Sequence, residues 1–237
     1  MTTSPTGAPS SHGPVAAVGP AASGEPAGGS AADPRPQLAA AARDLYARGW
    51  MSGTAGNLSQ RLADGSFWIT ASGKFKGDLG PGDFLRLGPA GEVLERGRDA
   101  DRPSAESSLH AAVYRRFAAA AACFHVHTVA ANLVTRLAAA GADLPLPPIE
   151  MLKGLGVWDE RPEVALAVFP NHANVLTIAA EVETRFAAAP PRLLGFLIRD
   201  HGLTVWGDTP RAAQNHLELF DFIFQCMVGA RAAGLAW

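Results

Sequence analysis

Two apolar runs that each stop at a histidine limit what this chain can fold into. His125-Val126-His127 closes one of them, and Arg199-Asp200-His201-Gly202 follows the other, Leu193 to Ile198. Both runs read as buried strands. Two residues one apart on a strand point to the same face, with backbones only about 6.6 Å apart. The imidazoles of His125 and His127 therefore converge. Any one of the three histidines alone is more simply a strand-end residue satisfied by hydrogen bonds. A His-x-His pair together with a His-Gly at a second strand end points instead to a metal. Neutral imidazole is a preferred ligand for Zn²⁺, and a catalytic zinc commonly has three protein ligands and one open position. Three imidazoles also suit iron, cobalt, nickel or copper, so the pattern alone does not fix the ion.

The chain's 237 residues provide for one sizeable domain with a full core. A formal net charge of −2 gives no electrostatic footprint for nucleic acid or an anionic membrane. Cys123 and Cys226 are too few for a disulfide framework and read as small buried hydrophobes, which fits a reducing, cytoplasmic setting. Residues 1–36 are Ala, Pro, Gly, Ser and Thr with scarcely a large hydrophobe, so they are expected to form a disordered tail before a domain over 37–237. Pro and Gly interrupt its apolar stretches and no basic residue precedes Arg35, a pattern unlike a secretory signal or transit peptide.

From Gln37 onward, short strands are interleaved with helices. Leu38, Ala41, Ala42 and Leu45 mark a first helix. Strand-like runs follow at Asn57–Arg61, Phe67–Thr70, Phe84–Leu87 and Glu92–Leu94. Pro103-Ser104 should open a helix with Ser104 as N-cap, and another helix should span Val129 to Ala139. Val164–Phe169 reads as a strand, Val175 to Phe186 as a helix, and Leu203–Trp206 as a strand. A last helix from near Pro210 to about Ala233 carries one stripe of Leu217, Phe220, Phe224 and Met227 and a second of Leu219, Phe222, Ile223 and Cys226, so it should be buried on more than one side. The order predicts a single α/β domain with layers packed on a mixed sheet.

Acids and anion-binding groups lie in the loops near the histidines. Glu106 sits in the expected first turn of a helix, where the dipole favours a carboxylate whatever its role. Glu150 follows Pro-Pro-Ile and precedes Met-Leu-Lys-Gly, an apolar context in which a carboxylate is costly unless paired or used, which makes it a candidate general acid/base. Gly53-Thr54-Ala55-Gly56-Asn57 and Ala71-Ser72-Gly73-Lys74 are rich in small residues and donors that suit a phosphate, with Ser104 as a third donor. His110 and His216 fall inside helices and read as structural, and His172 as a surface residue.

Gly56-Asn57-Leu58-Ser59-Gln60-Arg61, Thr70-Ala71-Ser72-Gly73, Pro103-Ser104-Ala105-Glu106, His125-Val126-His127 and His201-Gly202 occur in the order seen in the class II aldolase/adducin family, which the chain resembles from Leu38 to its C-terminus. Gly49-Trp50-Met51-Ser52-Gly53-Thr54, Glu150-Met151-Leu152-Lys153-Gly154 and the segment Ile198 to Gly207 are most similar to the family's methylthioribulose-1-phosphate dehydratase branch, of methionine salvage. The resemblance implies an α/β/α sandwich on a largely antiparallel mixed sheet and a cytoplasmic homotetramer. It also implies one zinc per subunit on His125, His127 and His201. Glu150 matches the proposed dehydratase acid/base and Glu106 that of the sugar-phosphate aldolases. Gly56, Asn57, Ser72, Gly73, Ser104 and Lys74 would bind the phosphate of a small sugar phosphate. An aldolase or epimerase on another substrate, or a non-catalytic adducin-like interaction domain, are the competing readings.

Overall fold

The structure, a computed structural model, describes residues 33–139 and 141–236. The disordered tail expected over 1–36 lies outside the described residues except for 33–36, and there the domain has already begun. α1 (Arg35–Ala47) starts at Arg35 with Pro36 in its first turn, where a missing N–H leaves no bond unmade.

β1 (Asn57–Arg61), β2 (Phe67–Thr70), β3 (Phe84–Leu87) and β4 (Val93–Arg96) follow, then α2 (Ser107–Arg116), β5 (Ala122–Val126) and α3 (Val129–Val134). The remainder comprises β6 (Leu144–Pro145), β7 (Ala165–Leu166), β8 (Val168–Phe169), α4 (Val175–Ala188), β9 (Gly195–Ile198), β10 (Gly202–Gly207) and α5 (Pro210–Ala232). Eight strands form one sheet in the order β4-β3-β2-β1-β5-β10-β9-β8, and β6 pairs with β7 alone. Every neighbouring pair in the large sheet is antiparallel except β8 with β9.

Strand alternation divides the core into two layers. Ala122, Phe124 and Val126 of β5 pack in one cluster with Leu38 and Leu45 of α1, Ala131 and Val134 of α3, and Leu217, Phe220 and Phe224 of α5. Cys123, from the same strand, joins the other cluster with Leu109 and Val113 of α2 and Ile178, Val182 and Phe186 of α4. The result is the expected α/β/α sandwich, with β5 near its middle.

Five expectations shift. α2 begins at Ser107 rather than at Pro103, because Ser104 and Ala105 spend their carbonyls on a turn, and Glu106 takes the N-cap position. α3 ends at Val134, and the next residues turn to give their carbonyls to Arg199. The run Val164–Phe169 divides between two strands with different partners. On α5, Ile223 is buried but Phe222 is 47% exposed, so its second apolar stripe is only partly covered. Cys123 is buried as expected, whereas Cys226 is half-buried.

Candidate metal centre

His125 is the penultimate residue of β5, fully buried, and sits in register with Asn57 on β1 and Thr204 on β10. Three adjacent strands thus set Asn57, His125 and Thr204 side by side. His127 lies just beyond β5, where its backbone N–H donates to the Trp50 carbonyl. Thr128 then caps α3 by accepting from the Ala131 N–H.

His201 is delivered by the tight turn between β9 and β10. Asp200 adopts φ 52°, a left-handed conformation that costs a non-glycine residue energy and needs support. The support comes from the end of α3. Thr135 Oγ1 accepts from the Asp200 N–H at 3.1 Å, Arg136 pairs with the Asp200 carboxylate at 2.8 Å, and Arg199 donates to the Thr135 carbonyl at 2.7 Å. Asn132 Nδ2 donates to the His201 carbonyl at 2.9 Å. Gly202 is required by close approach, since a Cβ there would lie 2.3 Å from the Val126 carbonyl oxygen and 3.3 Å from His125 Cε1. Gly56 combines φ +80° with a Cβ position 2.8 Å from the His125 carbonyl oxygen.

These elements bring the three histidines together. Their rings stand 4.8–5.1 Å apart between centroids and 74–85° between planes, the mutually perpendicular set expected of imidazoles radiating around one point. His125 Nε2 and His127 Nε2 are 2.9 Å apart. Tetrahedral zinc with bonds of roughly 2.05 Å would want its ligand nitrogens about 3.3 Å apart. Two of the three outer nitrogens have partners: His125 Nδ1 meets Thr204 Oγ1 at 2.9 Å and His201 Nδ1 meets Asn171 Oδ1 at 3.3 Å. With Nδ1–H donating outward, the Nε2 lone pairs of His125 and His201 are left facing inward, as a metal ligand requires. Burial, and then the charge of His125, push His127 down to about 3, so its ring is neutral and able to ligate.

Glu106 is the fourth member, and its atom and the three histidine nitrogens lie within 4.8 Å of one another. Its Oε1 is 2.9 Å from His201 Nε2, 3.6 Å from His125 Nε2 and 3.8 Å from His127 Nε2. Burial alone would raise this carboxyl; the pull of His125, His201 and His127 outweighs that and holds it well below the ordinary carboxylate range. Three inward imidazoles and one ionised carboxylate form a donor set suited to a divalent cation.

A cavity of about 380 Å³ opens beside the cluster, lined by Gly56, Asn57, Ser72, Gly73 and Ser104 together with Glu106 and His127. Five of the six residues expected at a phosphate are therefore here. Lys74 does not line the cavity; its ammonium pairs with Asp101 at 2.5 Å and Asp83 at 3.5 Å. The lysine that does is Lys76, missed in the sequence, whose Nζ donates to the carbonyls of Thr54 at 2.8 Å and Lys74 at 3.0 Å. Burial pushes Lys76 down to about 8, against a smaller opposing pull from Glu106. Glu150 lies apart from the cluster. It opens a six-residue 3₁₀ segment, its side chain is 78% exposed, and it pairs with Lys153 at 3.0 Å, so the apolar surroundings expected for it are absent in the single chain.

A sequence model of the family described as class II aldolase and adducin N-terminal domain matches residues 36–228. The chain belongs to this family. A methylthioribulose-1-phosphate dehydratase from Microcystis aeruginosa is 52% identical over 198 residues, covering 84% of this chain and 96% of that one. Another so named, from Leptospira biflexa, is 43% identical over 77% of this chain and 90% of its own. Among solved structures, an l-fuculose-1-phosphate aldolase from Thermus thermophilus superposes with TM-score 0.66 at 25% identity, over 87% of this chain and 99% of that one. Among the described residues, no helix of this family member is long and apolar enough to cross a membrane.

Proposed function

We propose that the chain is a zinc-dependent hydro-lyase, a methylthioribulose-1-phosphate dehydratase of methionine salvage. It would convert 5-methylthioribulose 1-phosphate to 2,3-diketo-5-methylthiopentyl 1-phosphate and water. The observation that carries this reading is the convergence of His125, His127 and His201 beside a donor-lined cavity. The 52% identity to a protein of that name, over almost its whole length, supports the choice of substrate. The cation would be held by His125, His127 and His201 and, when bound, would polarise the substrate's C2 carbonyl as a Lewis acid.

The chain's own residues would do the remainder. Gly56, Ser72, Gly73 and Ser104 would take the phosphate, with the Lys76 ammonium supplying charge. Fixing the phosphate orients the sugar and places its reacting carbons at Glu106. Glu106, ionised and short of water, is the base at hand for the C3 proton. Breaking that C–H bond supplies the electron pair that forms C3=C4 as the C4 hydroxyl departs. The proton lost from C3 would leave with that hydroxyl as water, and the C3 enol would tautomerise to the second ketone. Glu150 remains a second candidate for protonating the departing hydroxyl. Comparing Glu106→Gln with Glu150→Gln at equal metal content assigns the roles: the base loses kcat severely, and a residue without a part keeps it.

A sugar-phosphate aldolase is the second reading, favoured by Glu106 standing at the histidines. Its products would be carbon fragments rather than a dehydrated diketone. Assembly into a cytoplasmic homotetramer belongs to the same proposal. It is supported by Val129, Leu133 and Phe222, which stand 73%, 45% and 47% exposed on neighbouring helices. Light scattering on purified protein tests it, a monomer mass being the contrary result.

A further inference from the structure

Behind Glu106 runs a line of buried polar groups that the reaction scheme does not use. Asn57 Nδ2 donates to Glu106 Oε2 at 2.5 Å, and Asn57 Oδ1 meets His110 Nε2 at 2.5 Å. His110 Nδ1 meets Ser59 Oγ at 2.7 Å, and Ser59 Oγ meets the Tyr114 hydroxyl at 2.6 Å. His110 and Ser59 are fully buried, and Asn57 and Tyr114 nearly so. His110 and Tyr114 lie one turn apart on α2, facing Asn57 and Ser59, which share one face of β1.

Donor and acceptor counting gives this line one direction. A carboxylate only accepts, so Asn57 must present its NH₂ to Glu106 and its carbonyl to His110. His110 Nε2 must then carry a hydrogen. Burial, and then the charge of His125, push His110 down to about 3, so the ring is neutral and Nδ1 has a lone pair. That lone pair accepts the Ser59 hydroxyl hydrogen, and Ser59 in turn accepts from Tyr114. The alternative, Ser59 donating to the Cys123 carbonyl, is longer at 3.3 Å and would leave His110 Nδ1 without a donor. Four bonds thus point the same way and end on one oxygen.

We propose that Tyr114, Ser59, His110 and Asn57 form a one-way hydrogen-bond relay that anchors Glu106 Oε2 and leaves Oε1 as the working oxygen, with His110 as the positioning residue that fixes the Asn57 amide. The relay rests on the reading of Glu106 as the base at the reacting carbon. Its function is geometric: a carboxylate held by one oxygen is presented to the substrate without rotating. A reversed Asn57 would place its carbonyl against the carboxylate, so the amide's orientation decides whether Glu106 is held or repelled.

The test is a double-mutant cycle on the zinc-loaded full chain, using methylthioribulose 1-phosphate and reading kcat, KM, metal content and melting temperature. His110→Phe removes the donor to Asn57 and should lower kcat about 10–100-fold with KM and zinc unchanged. His110→Gln restores an N–H at the Nε2 position and should recover kcat to within about threefold of wild type. In a Glu106→Gln background, His110→Phe should cost nothing further, because it acts through the carboxylate. Ser59→Ala, a smaller change, carries the same cycle if His110→Phe does not yield folded protein. Unchanged kcat in His110→Phe overturns the relay. So does His110→Gln no better than Phe, or an equal loss in both backgrounds. If Glu106→Gln itself keeps full activity, the fault lies with the reading of Glu106, whereas a failed cycle on an inactive Glu106→Gln sinks the relay alone.

Discussion

Oε1 of Glu106 lies 2.9 Å from Nε2 of His201, a residue 95 positions later in the chain. The contact joins the N-terminus of α2 to the β9–β10 turn across the end of β5. That junction completes the candidate cation site and sets the Glu106 carboxylate against it.

Removal of the ion should leave a protein that is acid-labile through a specific window. His127 sits at about 3 in the folded chain against 6.5 as its ordinary value. Between those values the unfolded chain binds the proton and the folded one does not, so stability is present above 6.5 and is lost as pH falls toward 3. Glu106, held below its ordinary 4.5, adds a loss of the same sign as pH falls below that value. Melting temperature of chelator-treated protein should fall steadily from pH 6.5 downward, with a shallower slope in His127→Gln. An equal slope in both proteins would contradict this assignment.

Lys76 should matter for binding rather than for turnover. Its ammonium is charged below about pH 8 and is lost as pH rises through that value. In the free enzyme, kcat/KM should therefore decline above about pH 8, while kcat holds because a bound phosphate keeps the lysine protonated. Lys76→Met should raise KM by about tenfold or more and abolish the alkaline limb. Lys74→Met should do neither, since that side chain is occupied by Asp101 and Asp83.

Gly202→Ala should damage the centre without touching a ligand. The added Cβ would meet backbone, the Val126 carbonyl oxygen at 2.3 Å, which cannot yield as a side chain does. Overpacking of this kind costs roughly 1–3 kcal/mol. A lowered melting temperature with reduced zinc per chain, measured by metal analysis, is the expected outcome.

The histidine segments were legible because a buried strand that ends in His-x-His leaves its side chains one destination. Most strands of the large sheet were legible as short runs with turn signals between them, though not their order across it. What was not legible is where a loop turns. Lys74 and Lys76 are two residues apart, and only the 3₁₀ turn Lys76–Asp78 decides which ammonium enters the cavity. The Pro-Pro-Ile context of Glu150 reads as burial, yet the segment folds back and leaves the carboxylate in solvent. His110 reads as a core histidine on α2, and it is one; its meaning comes from Asn57 and Ser59, more than 50 residues earlier, which no local pattern connects to it.

The most direct measurement is incubation of the zinc-loaded protein with methylthioribulose 1-phosphate, with and without chelator, followed by mass spectrometry of the product. The account predicts conversion to a species lighter by one water, abolished by chelator and restored by zinc. Intact substrate, or its cleavage into smaller carbon fragments, in a sample carrying full zinc would contradict it.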